Sequence, residues 1–407
     1  MPANYTLNYL QKLPAKQVVD VVALVDCLIL DAVESRASDL HIEPWENSLV
    51  ARLRLNGVLS ELVHLPLELM ERVSGRVKIM ANLVTYQNSL PQEGHVQGRP
   101  ELGDVQLRVS VFPTVRGEKI VIRLFDSRAC HFELADLGFE PENLKAILGL
   151  LNRPSGLFLL TGPTGSGKTT SIYAALCYLV QKNGPSISIS TVEDPVEFHL
   201  PQVSQAQVNL AQEFTYPAAL RSLMRQDPQV IMIGEIRDPD TAAIAVQAGL
   251  TGHLVISTIH TGTTAGVFAR LINMDIEPFL LASSISGVLG LRLLRQTCPH
   301  CAMACDLEPS LAHLIPPEIA ATGQFKKGPG CPICLNTGYY QRTMISELLV
   351  AGETFREAVL QKMPTRALQQ VAVECGMRTL WQDGLRRVLD GQTTLEEVLR
   401  VIAIDQL

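Results

Sequence analysis

The chain has 407 residues, more than one ordinary domain needs, and its 47% hydrophobic against 18% charged residues excludes a disordered protein. A formal net charge of −7 leaves no basic excess, so the composition gives no reason to expect a nucleic-acid partner. The N-terminal residues lack the charged-then-apolar order of a secretory signal. The longest uncharged apolar stretch, 279–291, is shorter than the ~18 residues a bilayer-spanning helix needs, so direct membrane insertion is not expected.

Residues 1–17 read as an N-terminal extension, and 18–127 as a small α/β domain. Val21, Leu24, Leu28 and Ala32 fall on one face of a helix ending near Ser38. Strands are expected at 39–43, 49–55, 106–111 and 119–124, with a helix at 68–81. A linker at 128–140 leads to a core domain at 141–297. There, apolar runs at 156–161, 186–191, 230–234 and 253–259 alternate with helices at 168–182, 217–226 and 240–250, the pattern of a parallel sheet covered on both faces. A helix is expected to end near Arg295. A cysteine-bearing region follows at 298–342, then a helical C-terminal region at 343–407.

Gly162-Pro163-Thr164-Gly165-Ser166-Gly167-Lys168-Thr169 is a complete G-x-x-x-x-G-K-[ST] pattern, between an apolar strand and an amphipathic helix that includes Thr170. Its glycines let backbone N–H groups curl around phosphate oxygens at a helix N-terminus. Lys168 would neutralise phosphate charge and the Thr169 hydroxyl would join the shell of a Mg²⁺ ion, so ATP and Mg²⁺ are the expected ligands.

Four further groups are candidates. The apolar run 230–233 leads through Gly234 to Glu235, which could act on the attacking water. Gly234 stands where the general Walker B pattern has Asp. Glu193 and Glu197 sit in a second acidic cluster after an apolar run, where they are expected to reach the same crevice, one or the other handling the water with Glu235. His253 and His260 bracket a strand, some ~23 Å apart if extended, so only one can reach a given phosphate. His260, at the strand's carboxyl end, is preferred as a phosphate sensor. Cys298, Cys301, Cys331 and Cys334 form two Cys-x-x-Cys pairs, the donor set of a closed structural zinc site. His300 and Cys305 are possible substitute ligands.

Together these residues resemble the type II secretion and type IV pilus assembly ATPase family. The resemblance runs from about residue 20 to the C-terminus. It includes Ala37-Ser-Asp-Leu-His-Ile-Glu-Pro44, Pro91-Gln-Glu-Gly94, Arg108-Val-Ser, Gly117-Glu118 and Val121-Ile-Arg123-Leu. In the core it takes in 191–197, Leu220-Arg-Ser-Leu-Met-Arg-Gln-Asp-Pro228, Gly234-Glu-Ile-Arg-Asp238 and 252–261, and beyond it the cysteine pairs and Thr337-Gly-Tyr. Asn56-Gly, Gly262 and Thr343-Met-Ile-Ser-Glu depart from the family's usual form.

The resemblance implies a RecA-like P-loop core hinged to a smaller PAS-like N-terminal α/β domain, a zinc knuckle and C-terminal helices. It implies a cytoplasmic hexameric ATP-hydrolysing motor, peripheral to the inner membrane through platform proteins of a secretion or pilus apparatus. It also implies arginines that close on the nucleotide: Arg108 and Arg123 from the first domain, and Arg221, Arg225 and Arg237 from the core, with Arg342 a candidate for reaching a neighbouring subunit. The family's extra docking domain has no evident counterpart before residue 18. The alternatives are a nucleotide-binding scaffold with weak turnover, or a retraction or DNA-transfer ATPase of the same superfamily.

Overall fold

A computed structural model describes residues 4–13, 18–98, 100–102, 105–125, 133–321 and 323–402. Residues 128–132 of the expected linker lie outside the described residues, as do residues 1–3 and 14–17 of the expected N-terminal extension. The chain divides into two units, Met1–Cys130 and His131–Leu407.

The first unit contains helices α1 (Tyr5–Lys12), α2 (Val21–Glu34) and α3 (Met70–Met80). Its strands are β1 (Asp39–Pro44), β2 (Leu49–Leu55), β3 (Val58–Leu65), β4 (Gln92–Val96), β5 (Gln106–Thr114) and β6 (Gly117–Phe125). They form one antiparallel sheet in the order β3-β2-β1-β6-β5-β4. Strand periodicity sends Leu40, Ile42, Leu53, Val109, Ile120 and Ile122 to one face, where they form a core with Leu24, Leu28, Val73 and Val77 of the helices. Acids at the start of α2 and within it have structural work. Asp20 caps the helix by accepting the Val22 N–H, and buried Asp31 accepts the first N–H groups of α1, from Tyr5 at 2.7 Å and Thr6 at 2.9 Å. On the alternate positions of β1, β2, β5 and β6 stand Asp39, His41, Glu43, Arg52, Arg54, Arg108, Lys119 and Arg123.

The second unit begins with α4 (Pro141–Leu151), β7 (Gly156–Thr161), α5 (Lys168–Asn183), β8 (Ile189–Glu193), β9 (Ser204–Gln207) and α6 (Tyr216–Leu223). It continues through β10 (Val230–Ile233), α7 (Pro239–Leu250), β11 (Leu254–Ile259), α8 (Thr264–Ile272), α9 (Pro278–Ser284) and β12 (Ile285–Thr297). After these come β13 (Met303–Ala304), α10 (Pro317–Ala320), β14 (Lys326–Lys327), β15 (Tyr339–Val350), α11 (Glu353–Leu360), α12 (Thr365–Glu374), α13 (Leu380–Leu389) and α14 (Leu395–Val401).

The main sheet has the order β15-β12-β7-β11-β10-β8-β9. It is parallel except that β15 runs antiparallel to β12. Two apolar layers cover it. One joins Ile231, Ile233 and Val255 to α7, α8, α11 and α12. The other joins Phe158, Leu160, Met232 and Ile256 to α4 and α5. Residues 285–297 therefore correct the expected helix ending near Arg295. The run is a strand buried between β7 and β15, and a strand apolar on both faces carries no alternation to separate it from a buried helix. The same pairing makes the start of the expected helical region, 343–350, part of β15.

Candidate functional site

The phosphate-loop residues leave the carboxyl end of β7, a central strand of the sheet, and enter α5 at Lys168. Gly162 has φ +147°, and a Cβ there would lie 2.6 Å from both the Leu291 carbonyl and Ser166 Oγ, so only glycine fits. Pro163, Thr164 and Gly165 are exposed, Thr169 and Thr170 half-buried. Ser166 Oγ is buried without a partner among the described residues, inside a loop whose open backbone suits an anion. Buried Lys168 donates from Nζ to the carbonyls of Gly162 at 2.7 Å and Pro163 at 2.9 Å. Burial pushes its ammonium down to about 8, opposed by Glu235 and assisted by Arg292.

Two neighbouring strand ends bring their polar groups to this loop. Glu235, just past β10, accepts from Arg237 Nε at 2.7 Å and lies 3.1 Å from His260 Nε2. His260, just past β11, faces the Gly162 carbonyl with Nδ1 at 3.1 Å. Lys168, Glu235 and His260 thus surround one crevice at the carboxyl ends of parallel strands, where ligands of open α/β sheets bind. His253 stands at the opposite end of β11, with Nδ1 3.1 Å from the Ala248 carbonyl that closes α7. That is a structural position.

The acidic cluster divides. Glu193 is buried at the end of β8 and accepts from Tyr173, from Thr191 Oγ1 at 2.5 Å and from Gln205 Nε2 at 3.1 Å. Three neutral donors fix it, and burial with the Glu193 hydrogen bond raises the Tyr173 phenol's pKa. Half-buried Glu197 donates its N–H to the same Tyr173 hydroxyl at 3.3 Å. Gly234, at the customary Asp position, is hemmed in. A Cβ there would stand 2.7 Å from the Tyr216 hydroxyl and 3.4 Å from Glu193 Cα.

Arg221 and Arg225 lie exposed on and just after α6, Arg225 reaching Ser222 Oγ at 3.5 Å. In the first unit Arg108 pairs with Glu93 at 2.9 Å, while Arg123 donates through Nε to Asp39 at 3.0 Å. Arg292 is a site residue that sequence reading missed. Buried in β12, it donates to the carbonyls of Leu291 at 2.8 Å and Gly262 at 2.9 Å, holding the turn after His260. The available signal was an arginine inside an otherwise apolar run.

The sulfurs of Cys298, Cys301, Cys331 and Cys334 lie within 4.8 Å of one another. Cys298–Cys331 and Cys301–Cys334 are each 3.9 Å apart and Cys331–Cys334 3.6 Å. A tetrahedron of thiolates with metal–sulfur bonds of ~2.3 Å has edges of ~3.8 Å, so the donor set fits one tetrahedral ion.

Residues 15–400 match the family described as "Type II/IV secretion system protein". The type II secretion system protein HxcR of Pseudomonas aeruginosa is 44% identical over 381 residues, 94% of this chain and 77% of that one. The type IV pilus assembly ATPase PilB of Myxococcus xanthus is 42% identical over 390 residues, 95% of this chain and 68% of that one. Among solved structures, the pilus retraction motor PilT with bound ADP superposes with a TM-score of 0.65 at 23% identity, covering 96% of this chain and 99% of that one. The Legionella pneumophila ATPase DotB gives 0.70 at 18% identity, covering 96% and 98%. These two likenesses concern the fold.

Proposed function

The chain belongs to the type II/IV secretion system protein family, and from that premise we propose that it is the ATP-hydrolysing motor for assembly of a secretion pseudopilus or type IV pilus. The observation that carries this reading is the convergence of Lys168, Glu235 and His260 on one phosphate loop. Residues 162–170 cradle the phosphates of ATP, with the Lys168 ammonium neutralising charge and the Thr169 hydroxyl available to a Mg²⁺ ion. That cation, when bound, offsets negative charge on the phosphate oxygens. Glu235 orients the attacking water and His260 senses the terminal phosphate. Glu193 and Glu197 shape the acidic wall.

Arg108 and Arg123 of the first unit, with Arg221, Arg225 and Arg237 of the second, are assigned to the nucleotide as the site closes. Guanidinium groups suit phosphate because they present planar, permanently charged donors. The four cysteines hold one Zn²⁺, a staple and not a reaction centre. No helix among the described residues is long and apolar enough to cross a membrane, and the working place proposed is the cytoplasmic face, on inner-membrane platform proteins, as a hexamer.

Steady-state phosphate release by the purified chain tests the assignment. Wild type should turn over ATP in the presence of Mg²⁺, and Lys168→Ala should not. Near-normal release by that variant sinks the phosphate-loop assignment, while tight binding without turnover in wild type favours a scaffold.

A further inference from the structure

The strand end at Gly234 has no side chain of its own, yet the space beside it is filled. Tyr216 opens α6 directly after Thr215, whose hydroxyl caps the helix by accepting the Ala218 N–H at 3.4 Å. The cap fixes the backbone from which the ring starts, and the ring packs against the apolar layer containing Ile231 and Ile233. Its hydroxyl ends 2.7 Å from where a Gly234 Cβ would lie. It stands in the field of Asp194, Glu235 and Glu193, with Arg237 opposing them.

Burial, seconded by Asp194, raises the phenol's pKa, so it stays a neutral O–H at working pH. Among the described residues that hydroxyl donates to no protein group. A neutral phenol is a poor direct ligand for a hard cation. It is a good hydrogen-bond partner for water, and a Mg²⁺ ion keeps several of its waters when protein-bound.

We propose that Tyr216 is a positioning residue of the nucleotide site, its hydroxyl taking the place of the absent strand-end carboxylate and hydrogen-bonding the water shell of the nucleotide's divalent cation. The inference rests on the nucleotide reading above. It requires glycine at 234, because any side chain there would displace the phenol.

The test is the Mg²⁺ dependence of binding a fluorescent ATP analogue to the full chain, with parallel titrations in EDTA. Tyr216→Phe removes one oxygen and keeps the ring. It should raise the half-saturating Mg²⁺ concentration roughly fivefold, the scale of one net hydrogen bond, and leave binding in EDTA unchanged. Gly234→Ala should reproduce that shift by pushing the phenol aside, and the double variant should be no worse than either single one. A Tyr216→Phe curve matching wild type overturns the proposal, as does an equal loss with and without Mg²⁺, which marks mere packing. Additive effects of the two substitutions contradict the placement. Tight wild-type binding with an unmoved Tyr216→Phe curve removes this inference alone. Wild type that binds no analogue removes the nucleotide reading and this inference with it.

Discussion

The imidazole of His260 spans two functional segments: its Nε2 lies 3.1 Å from Glu235 Oε1, and its Nδ1 lies 3.1 Å from the Gly162 carbonyl oxygen. Both neighbours are acceptors, so the ring donates on both sides only as an imidazolium. The ring therefore stands between the acid at the end of β10 and the first residue of the phosphate loop.

Glu235→Gln should preserve ATP affinity and lower turnover by ~10²–10⁴, since the amide keeps the shape and loses the basicity. His260→Ala should lower turnover by roughly tenfold or more through loss of preorganised donors, with a smaller effect on affinity. Fluorescent-ATP binding measured beside phosphate release separates the two quantities. A parallel loss of affinity and turnover in Glu235→Gln would mean that the carboxylate is structural.

Lys168 gives a pH prediction with a definite sign. Burial lowers the pKa of its ammonium to about 8 without nucleotide, against an ordinary 10.5. Below that value it is already charged, and binding phosphate needs no proton. Above it the free protein has lost the proton and phosphate draws one back, so affinity should weaken by at most about tenfold per pH unit. Calorimetry at pH ~9 in two buffers of different ionisation enthalpy should report proton uptake on binding. Lys168→Arg, which cannot lose its charge, should remove that uptake. Equal uptake by both proteins would assign the titration elsewhere.

How much of this was legible in the sequence depended on how far each residue's partners lie along the chain. The loop at 162–169 and the strand 156–161 were readable because spacing and apolarity alone define them. The sequence also marked Gly234 as a departure. Its reason lies in Tyr216, eighteen residues away on another element, and no local pattern reports that approach. The strands Val58–Leu65 and Gln92–Val96 escaped because they are sheet edges with mixed exposure. Residues 285–297 misled for the opposite reason, since burial on both faces erased the alternation. Arg292 was hidden in that same run, and its partners at Gly262 and Leu291 became visible only once β12 was in place.

Metal analysis should find about one zinc per chain, given four sulfurs at the edges of a single tetrahedron. The Cys298 N–H also donates to the Gly338 carbonyl at 2.9 Å, so the two knuckles are joined through backbone as well. Chelation should lower the melting temperature and leave the phosphate loop able to bind ATP, because the cysteines do no chemistry there. Protein purified without chelator and lacking stoichiometric zinc would contradict the assignment.

The last prediction concerns assembly. Arg221 and Arg225 are exposed on the second unit, and Arg123 of the first donates through Nε to Asp39, with its side chain 55% exposed. If these arginines act on the nucleotide as proposed above, neighbouring copies in a ring would constrain the step that brings them to it. The isolated chain should therefore associate weakly, with ATP and Mg²⁺ promoting the ring. Specific activity should rise with protein concentration, as mass action requires if the ring is the more active species. Arg123→Ala should reduce turnover more than ATP affinity if, as proposed, its contact is made only as the site closes. Light scattering and phosphate release across one dilution series measure both quantities on the same samples. Full specific activity in a strictly monomeric sample would put a nucleotide-binding scaffold with weak turnover ahead of the ring motor.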